Sequence, residues 1–213
     1  MKVFGRSAAA LVCVLALASC TSDKPAPEAA NLCGITAASE EETLMREVLG
    51  VKEFTTKVYT PTEKLVDMSE RALPVIRPEK TRFFTNVCEY GTGDGQQDFH
   101  VTFLTGWSLR SAQAPLGNGA VYELNGAQGL ATDSRSRLLV QCDMPGELGE
   151  QSRKVWLTGD ANFAPSRADV DQVTKDRRTV LTYLMARRVT EALGCENKPL
   201  AQPPVVKSLP TTP

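Results

Sequence analysis

Apolar and polar positions change rhythm several times along this 213-residue chain, and each change marks an element. Residues 8–18 form an almost unbroken apolar run. Over residues 36–49 the pattern is helical: Ser39 with Glu42 three residues on makes a capping box, Glu40 and Glu41 suit a helix N-terminus, and Gly50 suits its end. A second helix is expected from Thr60-Pro61-Thr62-Glu63, with Thr60 as cap and Pro61 in first position. Leu65, Met68 and Ala72 share one face, and Pro74 ends the segment. Between the two, residues 53–59 read as a strand.

The clearest strand follows. Phe99, Val101, Phe103, Thr105 and Trp107 alternate with His100, Thr102, Leu104 and Gly106. Residues 83–90, rich in aromatic and β-branched side chains, precede it, and the loop Gly91-Thr92-Gly93-Asp94-Gly95 joins the two as a hairpin. A second hairpin is predicted for residues 120–124 and 127–131 across Asn125-Gly126. Residues 138–142 and 154–158 complete the strands. A long helix is expected over residues 168–193, capped by Ser166 and stopped by Gly194. Val170, Val173, Val180, Leu181, Leu184, Met185, Val189, Ala192 and Leu193 form its apolar stripe, with Arg177, Arg178, Arg187 and Arg188 as its wet side. The pattern predicts an α+β fold. A single antiparallel sheet of five or six strands carries two N-terminal helices and one long C-terminal helix, its other face partly open.

The opening apolar run is too short to span a bilayer, which takes roughly 20 helical residues. With Lys2 and Arg6 before it and small residues after it, residues 1–19 read as an export signal. Leu17-Ala18-Ser19-Cys20 resembles the box of bacterial lipoproteins, which implies cleavage before Cys20 and a diacylglycerol on its sulfur. The rival is an ordinary secreted protein cut near Ala18. Residues 20–30 read as a flexible tether, 31–197 as the globular domain, and 198–213, with five prolines, as a disordered tail. Loss of Lys2 and Arg6 leaves 22 basic against 25 acidic residues. That balance does not favour nucleic-acid binding.

Cys33, Cys88, Cys142 and Cys195 follow the acceptor, and an even number in an exported chain argues for two disulfides. No CxxC or HxxxH spacing points to zinc. Three pairings are possible. Cys33–Cys88 with Cys142–Cys195 is favoured, each loop contributing about 4 kcal/mol by chain entropy. Cys33–Cys195 with Cys88–Cys142 is the second choice.

Cys33-Gly34-Ile35-Thr36 and Cys88-Glu89-Tyr90, together with the lipobox, resemble motifs of small actinobacterial envelope lipoproteins of unknown function, of the mycobacterial LpqN kind. The resemblance covers about residues 20–105. It implies an envelope location, a similar fold class and a Cys33–Cys88 bond, and it implies no activity.

Candidate chemistry is sparse. His100 is the single histidine, so a hydrolase would have to build on it with a serine such as Ser108, Ser111 or Ser134. No Gly-x-Ser-x-Gly elbow is present. Gly91, Gly93 and Gly95 lack the following helix that a phosphate loop needs. Asp94 and Asp98 lack a full calcium loop. Arg135, Arg137 and Arg153 read first as the solvated face of an amphipathic sheet, and as a small anion-binding cluster if their strands are neighbours. Trp107 and Trp156 are the expected aromatic anchors, for the core first and a ligand groove second. The expectation is therefore a lipid-anchored protein on the outer face of the cell membrane. It uses no cofactor or metal and binds an envelope protein, lipid or glycan without catalysis. The alternative is an extracellular hydrolase using His100.

Overall fold

Local signals in the chain explain where most elements start and stop. In the computed structural model, which describes residues 31–92, 99–112, 119–166 and 168–208, helix α1 spans Glu40–Leu49. The Ser39 side chain accepts a hydrogen bond from the Glu42 amide (3.1 Å), while the Glu42 carboxylate accepts one from the Ala38 amide (2.6 Å). Gly50 closes α1 with φ +72°, a conformation that side-chain-bearing residues disfavour. The helix thus begins at Glu40, a turn later than residue 36.

Strand β1 (Thr55–Val58) leads into helix α2 (Thr62–Ala72). Thr60 is not its cap. Its buried hydroxyl donates instead to the Asn86 carbonyl (2.7 Å), and Pro61 occupies the cap position. A short 3-10 turn, Leu73–Val75, carries Pro74 and ends the segment.

Strands β2 (Arg82–Gly91), β3 (His100–Leu109), β4 (Ala120–Leu124), β5 (Ala127–Ala131), β6 (Arg135–Val140), β7 (Val155–Ala164) and the two-residue β8 (Lys207–Ser208) complete the sheet. The strand order is β1-β2-β3-β7-β6-β5-β4-β8, antiparallel throughout. Two meanders, β1 to β3 and β4 to β7, are joined where β3 pairs with β7. Asn125 (φ 50°) and Gly126 (φ 86°) make the tight β4–β5 turn, as their left-handed dihedrals require.

The sheet is larger than the expected five or six strands. β1 pairs at one edge and β8 at the other. β7 runs to Ala164 rather than 158, because Gly159-Asp160-Ala161-Asn162 extends as strand when wedged between β3 and β6. That segment has no β-branched residue to announce it.

A bulge between Asn86 and Cys88 shifts the β2 register. It turns Cys88 and Tyr90 to the same side as Val101, Phe103 and Trp107. Helix α4 (Gln172–Ala192) lies across that side, started by Asp171 rather than Ser166. The Asp171 carboxylate accepts from the Thr174 amide (2.7 Å). Contact is close: a Cβ on Gly159 would stand 2.9 Å from that of Ala186. The Tyr90 hydroxyl reaches Met185 Sδ (3.6 Å), and Trp107 Nε1 donates to the Ser69 carbonyl of α2 (3.0 Å). α1 packs on α4, and a four-residue helix, α3 (Gly149–Ser152), precedes β7.

The disulfides are Cys33–Cys88 and Cys142–Cys195. The first fastens the chain just before α1 to β2, and Tyr90, two residues beyond Cys88, donates from its hydroxyl to the Cys33 carbonyl (3.1 Å). The second fastens the end of α4 to the segment after β6.

The domain does not stop at residue 197. Leu200 is fully buried, the Tyr183 hydroxyl donates to the Gln202 carbonyl (2.8 Å), and Asn125 Nδ2 donates to that of Pro203 (2.8 Å). β8 then pairs with β4. One buried leucine and two side-chain hydrogen bonds override the proline-rich composition that reads as a free tail. Among the described residues no helix is long and apolar enough to cross a membrane.

Candidate functional site

Alternation along the strands sorts the side chains onto two faces. Helices α2 and α4 take the face with Tyr90, Phe103, Trp107 and Leu157. The opposite face is built from Arg82, Phe84, Asn86 and Glu89 on β2; His100, Thr102, Leu104, Gly106 and Ser108 on β3; Trp156, Thr158, Asp160 and Asn162 on β7; and Arg135, Arg137 and Leu139 on β6. Phe84, Leu104, Leu139 and Trp156 are half-buried there, so large apolar groups remain in reach of a partner.

Asp160 sits in the middle of this face and is almost wholly buried, its side chain 1% exposed. Arg135 Nε donates to one carboxylate oxygen (2.5 Å), and its terminal nitrogen pairs with the other. Arg137 Nε donates to the second oxygen as well (3.0 Å). Arg135, Arg137 and Arg153 are expected as a solvated sheet face, with an anion cluster as the alternative. The register brings the first two together around an internal carboxylate, while Arg153 stands exposed in the turn before β7. Arg110, just beyond β3, stacks over the Trp156 ring at 4.1 Å. Trp107 is a core anchor, so of the two tryptophans only Trp156 faces outward.

Beside this cluster lies a hollow of about 20 Å³ lined by Arg82, Phe84, Ser108, Ala112, Arg137, Leu139 and Thr158. The Ser108 and Thr158 hydroxyls, both buried, share a hydrogen bond at its base (3.2 Å). In the register, Gly106 separates Phe84 from Thr158. A Cβ there would stand 1.8 Å from the Phe83 carbonyl oxygen, so only glycine lets β2 come this close.

His100 lines a different cleft, of about 280 Å³, between the end of α1 and the start of α4. Glu47, Asp169, Asp171 and Arg178 line it as well; Glu47 pairs with Arg177 (3.2 Å), and nearby Lys175 pairs with Asp133 (3.0 Å). The hydrogen bond from Lys175 holds the Asp133 carboxyl below its ordinary range, and the Thr174 amide does the same for Asp171. No serine is among the residues lining this cleft. Ser108 lies eight residues along the same strand, about 26 Å away at 3.3 Å per residue. Ser111 lies in the turn beyond β3, and the Ser134 carbonyl accepts from the Phe163 amide (2.8 Å). Among the described residues, none of Ser108, Ser111 and Ser134 lines the His100 cleft.

Compared with known protein families, curated proteins and solved structures, the chain matches none.

Several other expected positions resolve differently. Of the four arginines expected on the solvated side of α4, Arg177 is exposed, but Arg178, Arg187 and Arg188 are not. Arg178 is buried over the Phe163 ring (4.4 Å), and Arg187 and Arg188 both meet Glu41 of α1. Arg188 also donates to the carbonyls of Leu32 (3.1 Å) and Gly34 (2.6 Å). α1 covers the side of α4 that the sequence pattern assigns to water. The acidic start of α1 is thus half of an interhelical charge match, a role its helix-dipole explanation had hidden. Cys20, Asp94 and Asp98 lie outside the described residues, and among those described no cluster of metal ligands forms.

Proposed function

We propose that this protein is a lipid-anchored extracytoplasmic lipoprotein, held at the outer face of the cell membrane through Cys20. It acts as a non-catalytic binding module for an envelope component. The observation that carries the binding reading is the open sheet face. Half-buried Phe84, Leu104, Leu139 and Trp156 lie there among arginines and amides, opposite a face fully committed to helices. Surfaces of this mixed aromatic and arginine character are favoured in recognition. Two disulfides are consistent with an extracytoplasmic protein, and the signal, lipobox and cysteine motifs support the lipid anchor and its envelope address.

The test has two arms. Membrane fractionation and intact mass of the native protein and a Cys20→Ala variant address the anchor: the native protein carries the lipid mass and the variant leaves the membrane fraction. A photoreactive residue at position 156, compared with one at the exposed Val173 on α4, addresses the face. Envelope crosslinks are expected from position 156 and not from 173. A protein recovered from the cytosol with free thiols, or equal crosslinking from both positions, would refute the proposal.

A further inference from the structure

Resting on the binding-module reading, the chemistry of the open face narrows its ligand to one class. Three guanidinium groups gather at one end of the open face: Arg82 and Arg137 in the wall of the small hollow, and Arg110 stacked on neighbouring Trp156. On β3, β6 and β7 the one carboxylate of that face is Asp160, already held by Arg135 and Arg137. The local balance is positive on a chain whose formal net charge is −1.

The hollow offers donors from several directions. Arg82 gives one N–H to the Ala112 carbonyl (2.6 Å) and Arg137 gives its Nε–H to Asp160 (3.0 Å), while each guanidinium carries five such donors. At the base, one hydroxyl proton of the Ser108–Thr158 pair serves their mutual bond, leaving the other to turn outward. A volume of about 20 Å³ admits one oxygen-sized group. Convergent guanidinium and hydroxyl donors around a one-oxygen space match a tetrahedral oxyanion. The apolar edges of Phe84, Leu139 and Trp156 offer a bed for whatever carries it.

We infer that the open face binds its ligand through a phosphate group. One phosphate oxygen enters the hollow between Arg82 and Arg137, and the body of the ligand lies over Leu139 and Trp156. The phosphate comes from a phosphorylated sugar or a phospholipid headgroup.

The full-length protein in neutral detergent, followed by tryptophan fluorescence, tests this. Inorganic phosphate, glucose 1-phosphate and a short-chain phosphatidylglycerol are titrated, with glucose as the neutral control. A saturable change is expected with a phosphate-bearing probe and none with glucose. Loss of one charge-assisted contact in Arg82→Gln should weaken binding about tenfold; Arg82 is exposed at the start of β2, and Ser108→Ala is a second variant. Saturation by glucose 1-phosphate identifies a sugar phosphate, and saturation by phosphatidylglycerol alone identifies a lipid headgroup. No response to any phosphate-bearing probe, or an Arg82→Gln protein that binds as the parent does, overturns the inference. Crosslinks from position 156 that persist without a phosphate response leave the binding module standing and remove only its ligand class. Absence of both removes both.

Discussion

Asp160→Asn is the sharpest perturbation of this molecule, because one buried carboxylate is shared by two cations. Arg137 is 14% exposed and Arg135 36% exposed at their side chains. Removing the negative charge strands Arg137 in a poorly hydrated position, whereas Arg135 recovers water. Breaking a buried pair from one side costs about 3–5 kcal/mol, and the exposure of Arg135 places this case at about 3 kcal/mol. For a domain of this size, about 2–4 °C of melting temperature accompanies each kcal/mol, so a fall of about 6–12 °C is expected in a thermal melt under oxidising conditions. Arg135→Gln leaves Asp160 bonded to Arg137 and should cost only about 1 kcal/mol. Replacing Asp160, Arg135 and Arg137 together with apolar residues of matching volume should recover much of the loss, since such a swap is often neutral. An Asp160→Asn protein melting within about 2 °C of the parent, or an Arg135→Gln protein as damaged as Asp160→Asn, would refute the account of a shared buried charge.

Other consequences are equally open to measurement. Gly106→Ala drives a Cβ into the Phe83 carbonyl, a backbone obstacle that cannot swing aside. A loss of about 3 kcal/mol, at the upper end for overpacking, should appear as a lower urea midpoint, and an unchanged midpoint would contradict the close strand approach. Leu200→Ala should cost about 2–5 kcal/mol as for any well-packed core leucine; equal stability in this variant and the parent would mean the C-terminal segment is not part of the core. Burial of Tyr90 pushes its hydroxyl well above the ordinary tyrosine range, and burial followed by the bond to Asp176 does the same for Tyr122. With folded values raised, this contribution is complete below the unfolded value of about 10 and declines as pH rises beyond it. Melting temperature should therefore drop above that pH, and Tyr90→Phe should soften the drop; an identical alkaline profile in the variant would argue against this origin.

Signals that act within a few residues were readable from the chain. Ser39 and Glu42 close on each other, Asn125 and Gly126 turn the hairpin, and the alternation from Phe99 to Trp107 sorts His100 from the core side. What escaped depends on distant partners. Arg187 and Arg188 look like part of a solvent stripe until α1 is known to lie against them, and nothing near them in sequence names Glu41. Leu200 is one of a few apolar residues scattered among prolines, and nothing local singles it out for burial. The candidate site was half legible. Arg135 and Arg137 could be suspected as a pair, but their meeting with Asp160 and the nearness of Arg82 are properties of register across four strands.

The two crosslinks are sequential, one spanning 33 to 88 and the other 142 to 195, so neither encloses the other. Pulled from its two ends, the oxidised chain cannot pay out either loop, and tension passes straight through the sulfurs. Between the crosslinks, the stretch from Glu89 to Gln141 is free to lengthen, roughly 50 residues at about 3.5 Å each. A single-molecule stretching trace should gain on the order of 110 residues of additional contour at about 3.5 Å each when reductant is added, which would make the redox state of the surroundings a governor of how far this protein can be drawn out.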